Sequence, residues 1–371
     1  MNVVLVTGAG GFVGRHVVEA LGRDGGWTVH TADTDTPAAD LRTSLLAADA
    51  VVHLAGANRP VDPADFARVN TALVEEMCEA LVAAGRAPAI VFSSSIQAEA
   101  DNPYGRSKRA AEERLDRYAC DMGAAVTVFR LKNVFGKWSR PDYNSVVATF
   151  CHNAARGLPL HVTDPARTVE LVYIDDVVAG ILGALRSPGD AGAVTFRGVG
   201  PSTTVALGDL AAQIEAFAGH RETLRLPDFS ERFTTQLYAT YLAALPADAL
   251  AYPLRVFRDA RGSLAEFVKS PAAGQIFVSR TNPGVTRGNH YHHTKTEKFL
   301  VLEGDAVVRL RPILGGETIE IPVSGTEYRV VDIPPGLTHS VENVGQTELV
   351  VLFWASEIFD PARPDTAMLD V

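Results

Sequence analysis

Short runs of consecutive apolar residues alternate with stretches of helical periodicity over the first 150 residues of the chain. Such runs are typical of parallel strands buried on both faces and joined by helical crossovers. We therefore predict a doubly wound α/β fold for this half of the chain, with strands at residues 3–6, 28–31, 50–54, 90–93 and 126–129.

The pattern changes along the rest of the chain. Helical periodicity at residues 177–185 and 207–218 indicates a region that covers a substrate. Beyond residues 247–253 the segments are β-rich and carry frequent Gly and Pro, which predicts an antiparallel barrel or jelly roll. A length of 371 residues also favours two domains. We place them at 1–247 and 248–371, with strands of the second at residues 275–279, 299–302, 306–310 and 349–353.

Composition and charge narrow the class of protein. A hydrophobic fraction of 47% with 21% charged residues is typical of a soluble globular protein. The net charge of −10, without any Lys/Arg run, argues against a nucleic-acid partner. The chain has no apolar stretch of about 18 residues and begins a strand at residue 3, so we expect neither a membrane partner nor a signal peptide, and a cytoplasmic location. Three widely spaced cysteines, Cys78, Cys120 and Cys151, are predicted to be free and buried.

A glycine-rich segment follows the first predicted strand and opens a helix. Gly8 allows a tight turn, Gly11 lets the backbone approach a pyrophosphate, and Gly14 lets the helix pack closely on the sheet. Asp33 follows the second strand, where a carboxylate binds an adenosine ribose diol and repels a 2′-phosphate. The segment therefore predicts a dinucleotide site, and Asp33 favours NADH over NADPH.

A tyrosine and a lysine four residues apart carry the next signal. On a helix, Tyr104 and Lys108 share one face, and an ammonium beside a phenol stabilises the phenolate. Lys108 can also hold the nicotinamide ribose. The preceding strand ends in serines, of which Ser94 or, preferably, Ser95 is expected to bind the substrate carbonyl oxygen. This set predicts a carbonyl reductase, or an enzyme that runs the reverse reaction.

A histidine-rich pattern lies near the C-terminus. His290 and His292 alternate on one face of a predicted strand, Glu297 follows, and His339 lies on a later strand. Three imidazoles and a carboxylate that converge inside a barrel suit Zn²⁺ or another first-row metal. His293 points to the opposite side of an ideal strand, and we expect it either to replace a ligand or to contact substrate.

The first half resembles the extended short-chain dehydrogenase/reductase family over roughly residues 1–245. Besides the glycine run and the Tyr104–Lys108 pair, residues 54–56, 130–136 and 172–177 have counterparts in that family. The resemblance implies a Rossmann-type fold, a nicotinamide cofactor and a nucleotide-linked sugar substrate. It implies substrate contacts from Asn133 and Arg167, and cofactor contacts from Gly8, Gly11, Phe12, Val13, Gly14, Asp33, Leu54, Ala55, Gly56, Tyr104 and Lys108.

The second half resembles the cupins, because residues 290–304 and 334–343 match both cupin motifs. This implies an all-β cupin jelly roll that binds a metal through His290, His292, Glu297 and His339.

A second likeness gives His290 another candidate role. Residues 257–263 and 286–291 resemble the cupin-fold sugar-nucleotide 3,5-epimerases of the dTDP-rhamnose pathway, which are metal-free. In those enzymes the histidine that matches His290 is a proton-abstracting base. Glu297 and His339 supply what a metal needs, and we therefore favour the ligand role for His290.

Stretches outside the motifs carry a further likeness, at residues 55–60, 93–98, 101–105, 135–138, 143–146, 288–290 and 359–361. Through them the whole chain, end to end, resembles a family of bifunctional enzymes of bacterial capsular-polysaccharide precursor synthesis. The likeness implies a homodimer whose cupin domain epimerises C3 of a UDP-2-acetamido-2,6-dideoxy-4-hexulose. The first domain then reduces C4 to give UDP-2-acetamido-2,6-dideoxy-L-talose. A 4-keto group acidifies the C3 hydrogen and is then the electrophile for reduction, so the two steps are consecutive. The likeness also implies NADPH, against the indication from Asp33, and substrate contacts from Arg59, Lys137, Arg287 and His293.

Two other functions stay open. The first is a monofunctional 4-keto sugar reductase whose cupin domain serves only dimerisation or stability. It would reduce a 4-keto sugar without exchanging the C3 proton with D₂O. The second is a non-catalytic nucleotide sensor, against which the complete Ser-Tyr-Lys set argues.

Overall fold

The computed structural model describes residues 2–58, 62 and 64–371, and the chain divides into two compact units. The first unit comprises Met1–Glu215 and Gln236–Leu245, and the second comprises Ala216–Thr235 and Pro246–Val371. The chain enters the second unit for the last time at Pro246, next to the predicted domain boundary after residue 247.

A six-stranded parallel sheet forms the centre of the first unit, in the order β2-β1-β3-β4-β5-β8. A three-stranded sheet, β6-β7-β9, lies in the same unit. The strands are β1 (Asn2–Thr7), β2 (Trp27–Ala32), β3 (Ala50–His53), β4 (Ala89–Ser95), β5 (Ala125–Leu131), β6 (Asn133–Phe135), β7 (Thr168–Tyr173), β8 (Ala193–Arg197) and β9 (Ser202–Ala206).

Helices connect the parallel strands. A π-helical segment, Phe66–Ala72, precedes the third α-helix, and short 3₁₀ turns lie at Ile96–Glu99 and Ala247–Ala249. The α-helices are α1 (Phe12–Asp24), α2 (Ala38–Ala47), α3 (Leu73–Ala83), α4 (Pro103–Met122), α5 (Val146–Ala154), α6 (Ile174–Arg186), α7 (Leu207–Thr223) and α8 (Arg232–Ala243). Among the described residues, none of these helices is both long and apolar enough to cross a lipid bilayer.

Strands β1, β3, β4 and β5 are buried on both faces, as predicted. The same prediction is wrong for β2, an edge strand in which only Ala32 is buried. Leu5 and Val51 belong to a core cluster on one face, with helices α3 and α4. Val4, Val6 and Val52 belong to a second cluster on the opposite face, with helices α1 and α6. Because successive side chains of a strand point to opposite faces, one short run of valine and leucine supplies both layers.

The second unit is a two-sheet antiparallel structure. One sheet has the order β10-β11-β12-β19-β14-β17 and the other β16-β15-β18-β13-β20, and a single core cluster that includes Phe299, Val308 and Val341 draws on both. The strands are β10 (Val256–Asp259), β11 (Gly262–Ser270), β12 (Gly274–Thr281), β13 (Thr286–Tyr291), β14 (Glu297–Glu303), β15 (Asp305–Pro312), β16 (Ile319–Ser324), β17 (Val330–Ile333), β18 (Leu337–Asn343), β19 (Leu349–Ala355) and β20 (Ala367–Met368).

These two architectures confirm the predicted fold class, a Rossmann-type parallel sheet followed by an all-β unit of cupin type. Every strand and helix predicted from the apolar pattern overlaps an element of the structure. One prediction about the cysteines is wrong. All three thiols are free, but Cys120 is exposed because it lies on the solvent side of α4, whereas Tyr118 and Ala119 face the core.

Candidate active site and candidate metal centre

The glycine turn lies where the strand order of the parallel sheet reverses. Strand β1 has β2 on one side and β3 on the other, and ligands of doubly wound sheets bind at the carboxyl ends of the strands at such a point. Gly8 follows β1 in the left-handed region, with φ of 67°. A Cβ atom at Gly14 would lie 2.1 Å from the Gly8 carbonyl oxygen, so helix α1 begins directly against the turn. Phe12 and Val13 open that helix.

Asp33 binds the glycine turn from the end of β2. Its Oδ2 accepts a 2.6 Å hydrogen bond from the Gly10 amide. Both residues line an open pocket of about 490 Å³, together with the cation Arg15 and the half-exposed ring of Trp138. The predicted ribose-binding carboxylate thus faces the same pocket as the predicted phosphate-binding turn.

The segment of Leu54, Ala55 and Gly56 runs from β3 along the other side of the turn. The Leu54 amide donates to the Thr7 carbonyl oxygen at 3.1 Å. A Cβ atom at Gly8 would lie 2.7 Å from the Ala55 amide nitrogen, which shows how closely the two segments approach. All of the predicted cofactor-binding stretches of the first unit therefore meet at one edge of the sheet.

Helix α4 places the predicted catalytic pair at the same edge. The helix begins with Pro103, after an Asn102 cap whose Oδ1 accepts a 2.8 Å hydrogen bond from the Gly105 amide. This puts Tyr104 in the first turn, where its ring contacts Phe66 at 5.5 Å between centroids. The pKa of Tyr104 is raised above its ordinary value, because burial outweighs the lowering effect of a hydrogen bond with Ser95. Tyr104 is therefore a protonated phenol at neutral pH, with its proton available for transfer.

Lys108 is held one turn further along α4. Its Nζ donates to the Ser93 carbonyl oxygen at 3.0 Å and lies 5.0 Å from the centre of the Phe92 ring. Burial lowers the pKa of Lys108 to about 8, while Glu112 acts in the opposite direction. The amine is thus still charged at neutral pH, although it is only 5% exposed.

The two candidate serines have different surroundings. Ser94 donates a 2.5 Å hydrogen bond to Glu112, whose carboxylate also accepts two hydrogen bonds from Arg130 at 3.0 and 2.6 Å. Ser95 accepts from the Gln97 amide at 3.2 Å and shares the hydrogen bond with Tyr104. Ser94 is therefore part of a buried ion-pair network, whereas Ser95 is hydrogen-bonded to Tyr104.

One residue of this site was not found from the sequence. Asn70, 1% exposed, accepts a hydrogen bond from the Ala57 amide at 2.7 Å and donates to Ser107 Oγ at 3.1 Å. A Cβ atom at Gly56 would meet Asn70 Oδ1 at 2.9 Å and Lys108 Nζ at 3.3 Å. Asn70 thus joins the cofactor-side segment to α4, and only its contacts, not its spacing in the sequence, reveal this.

Three of the predicted substrate-binding residues of the first unit lie among the described residues. Asn133 donates from its amide to the Glu170 carbonyl oxygen at 3.1 Å, and Arg167 is exposed. Lys137 lies 3.7 Å from Asp175 and 5.3 Å from the centre of the Trp138 ring. Arg59 lies outside the described residues.

Four predicted metal ligands of the second unit converge. The ligand atoms of His290, His292, Glu297 and His339 all lie within 4.8 Å of one another. The Nε2 atoms of His292 and His339 lie 3.4 and 3.3 Å from the same oxygen, Oε2 of Glu297. These two histidines are almost completely buried, at 2% and 1% exposure.

Three elements supply these ligands. His290 pairs with His339 across β13 and β18, next to a β-bulge at Asn289, whose φ is 57°. His292 follows the end of β13, and Glu297 opens β14. The bulge lies before His290, and the ring nitrogens of His290 and His292 reach the same cluster.

The electrostatics of the cluster suit a cation. Burial raises the pKa of Glu297, but His292 and His339 outweigh it and hold the pKa at about 2. Burial and the neighbouring imidazoles lower the pKa of His290 to about 4, so its ring is neutral at pH 7. The His292 Nε2 atom and both ring nitrogens of His339 are buried without a hydrogen-bond partner among the described residues. Buried lone pairs of this kind, beside a carboxylate, fit a first-row divalent metal.

The remaining predicted residues of this unit, Arg287 and His293, are not members of the four-ligand cluster. His293 is exposed and its ring packs on Tyr291, at 5.3 Å between centroids. Arg287 donates through Nε to Thr281 Oγ1 at 2.9 Å. His293 therefore does not replace a ligand in this arrangement.

Known proteins resemble both units. Residues 4–195 match the NAD dependent epimerase/dehydratase family, and residues 257–367 match the Polysaccharide biosynthesis C-terminal domain. The chain is 44% identical over 363 residues to UDP-2-acetamido-2,6-beta-L-arabino-hexul-4-ose reductase of Pseudomonas aeruginosa, covering 98% of this chain and 97% of the relative.

A solved structure extends the likeness to three dimensions. The crystal structure of the capsular polysaccharide assembling protein CapF from Staphylococcus aureus matches with a TM-score of 0.92 and 42% identity, covering 100% of both chains. UDP-glucuronate 4-epimerase 1 of Arabidopsis thaliana is 31% identical over 239 residues, which is 50% of this chain and 55% of that protein. The chain therefore belongs to the NAD dependent epimerase/dehydratase family, within which it resembles the proteins that also carry the Polysaccharide biosynthesis C-terminal domain.

Proposed function

We propose that the first unit reduces the C4 ketone of a UDP-linked 2-acetamido-2,6-dideoxy-4-hexulose with a nicotinamide nucleotide. The observation that carries this proposal is the meeting of Ser95, Tyr104 and Lys108 with the glycine turn at one edge of the parallel sheet. The name of the P. aeruginosa relative supports the substrate class, because that relative aligns with nearly the whole chain.

The residues of the first unit suit ketone reduction. The cofactor, when bound, supplies the hydride to C4. The Ser95 hydroxyl binds the carbonyl oxygen, and the buried Tyr104 phenol donates its proton to the alkoxide that forms. The Lys108 ammonium then stabilises the phenolate until a proton returns from solvent.

We further propose that the second unit inverts C3 before this reduction. The 4-keto group acidifies the C3 hydrogen, so a base can remove that proton, the enolate is stabilised, and return of a proton from solvent to the opposite face of C3 completes the inversion. His290, His292, Glu297 and His339 would hold a divalent metal, Zn²⁺ by the chemistry of the donor set, which supplies Lewis acidity toward the 4-keto oxygen. We assign the ligand role to His290 because its ring nitrogen lies within 4.8 Å of the ligand atoms of His292, Glu297 and His339.

We propose NADH as the preferred cofactor. The Asp33 carboxylate faces the pocket of the glycine turn and carries a negative charge where a 2′-phosphate would have to bind. Arg15 lines the same pocket, and its positive charge favours any anionic ligand. The preference for NADH over NADPH therefore depends on the position of Asp33 relative to the ribose.

The test of this function is a set of incubations with UDP- and dTDP-linked 4-keto-6-deoxy sugars, NADH or NADPH, and a divalent metal, with NMR of the products. We expect the UDP-linked 2-acetamido sugar to give UDP-2-acetamido-2,6-dideoxy-L-talose. A product with C4 reduced but the C3 configuration retained would support the reductase alone and reject the epimerase. Absence of turnover with every sugar would contradict both proposals.

A further inference from the structure

The C-terminal tail lies across the strand that carries the metal ligands. We call residues 364–370 the C-terminal strap. Its strand β20 pairs with β13, with His290 opposite Met368 and Tyr291 opposite Ala367. The Leu369 amide donates to the Asn289 carbonyl oxygen at 3.0 Å, at the bulge of β13.

Asp365 is the residue through which the strap holds the loop after β13. Its two carboxylate oxygens accept hydrogen bonds from three successive backbone amides, those of His293, Thr294 and Lys295, at 2.9, 3.0 and 2.9 Å. Lys295 is buried and returns a hydrogen bond from its Nζ to the Pro364 carbonyl oxygen at 3.2 Å. Asp365 itself has φ of 40°, a left-handed conformation that Asp and Asn tolerate better than most residues.

The same residue makes a direct contact with a predicted metal ligand. The Asp365 carbonyl oxygen lies 2.5 Å from Nδ1 of His292. A carbonyl oxygen only accepts hydrogen bonds, so Nδ1 of His292 carries the proton and Nε2 keeps its lone pair. That Nε2 atom is buried, has no partner among the described residues and lies 3.4 Å from Glu297 Oε2.

The geometry points to Asp365 as a positioning residue of the metal centre, which fixes the tautomer and the direction of His292 from the C-terminal strap. The inference rests on the proposed metal function of the cluster. Partners that orient a ligating imidazole in this way typically contribute about 10- to 100-fold to metal affinity. The Asp365 carboxylate holds the backbone of residues 293–295, and the Asp365 carbonyl oxygen holds the His292 ring. Loss of the carboxylate therefore frees the loop and, with it, the ring.

The experiment compares the full-length Asp365→Ala and Asp360→Ala variants with wild type. Asp360 is the matched control, because it lies in the same tail and binds Ala362 and Arg363. Zn²⁺ affinity is measured by competition with a chromophoric chelator, and the Co²⁺-loaded proteins are compared by their visible d–d absorption. We expect Asp365→Ala to bind Zn²⁺ about 10- to 100-fold more weakly, with an altered Co²⁺ spectrum, and Asp360→Ala to resemble wild type.

An Asp365→Ala protein with the Zn²⁺ affinity and Co²⁺ spectrum of wild type would overturn the inference while leaving the metal site intact. Failure of wild type itself to bind either ion would contradict the proposed metal function, and the inference with it. A second test needs no variant, because ¹⁵N NMR of the imidazoles in wild type reports the tautomer of His292 directly. We expect His292 to be protonated at Nδ1, and the Nε2-protonated tautomer would overturn the inference.

Discussion

The hydroxyl of Ser94 donates to the carboxylate of Glu112 at 2.5 Å, so that this serine is engaged in a buried network beside the proposed active site. Arg130 binds the same carboxylate through two nitrogens. The neighbouring hydroxyl of Ser95 is the one that reaches Tyr104. Two adjacent serines of one strand therefore differ in role because their side chains point to opposite faces of the sheet.

This difference predicts opposite phenotypes for two alanine variants. Ser95→Ala should lower kcat for ketone reduction by about 100-fold, because it removes a hydroxyl bound to the reacting oxygen. Ser94→Ala should keep most of its kcat and lose roughly 1–2 kcal/mol of unfolding free energy, because Glu112 loses a buried donor. Steady-state kinetics and urea unfolding measure the two effects, and the reverse assignment of phenotypes would contradict this account.

The buried ammonium of Lys108 predicts a pH dependence of stability. Its pKa is about 8 in the folded protein and 10.5 for the ordinary group, so folding releases the proton between these two values. Between these two pH values the unfolded chain binds more protons than the folded protein. The free-energy cost of burying the Lys108 ammonium therefore has its full value below pH 8 and declines as the pH rises.

A Lys108→Met variant removes this titration. The unfolding free energy of the variant minus that of wild type should fall by roughly 2–3 kcal/mol between pH 7 and pH 10. Wild type becomes more stable over this range as the buried ammonium loses its proton, and one pKa unit corresponds to about 1.4 kcal/mol. Urea unfolding followed by tryptophan fluorescence at several pH values gives the difference. A difference that does not change with pH would show that Lys108 is not desolvated.

Asp33 predicts the cofactor preference. Asp33→Asn keeps an acceptor for the Gly10 amide but removes the negative charge, and should therefore raise kcat/KM for NADPH relative to NADH by about 10-fold or more. Asp35→Ala removes a neighbouring exposed charge and is the control for net charge. An unchanged ratio of the two catalytic efficiencies in Asp33→Asn would mean that Asp33 does not face the ribose.

The two candidate roles of His290 predict different behaviour of His290→Gln. As a ligand, it should lower the metal content per subunit, the melting temperature of the second unit and C3 exchange together. His293→Gln, an exposed histidine outside the four ligands, should leave the metal content and the melting temperature unchanged. A His290→Gln protein with full metal content and no exchange would instead identify His290 as the base and leave His292, Glu297 and His339 as ligands.

The sequence predicted those parts of the site that rest on local spacing. Gly8 and Gly14 are close in the chain, Tyr104 and Lys108 share a helical turn, and His290 precedes Glu297 by a short loop. The contacts of Asn70 with Ala57 and Ser107, and of Asp365 with His292, join segments distant in the chain, and no periodicity encodes them. The exposure of Cys120 was also missed, because it depends on which side of a long helix faces the core.

We propose that two chemistries act on one sugar, with Tyr104 serving only the reduction. The most direct measurement follows NADH consumption and solvent deuterium incorporation at C3, in D₂O, for Tyr104→Phe with the UDP-linked 4-keto sugar. We predict that Tyr104→Phe loses its turnover of reduced cofactor and keeps the C3 exchange of wild type, because the cupin residues are unchanged. Reduction that persists at most of the wild-type rate, or exchange that disappears together with reduction, would contradict the account.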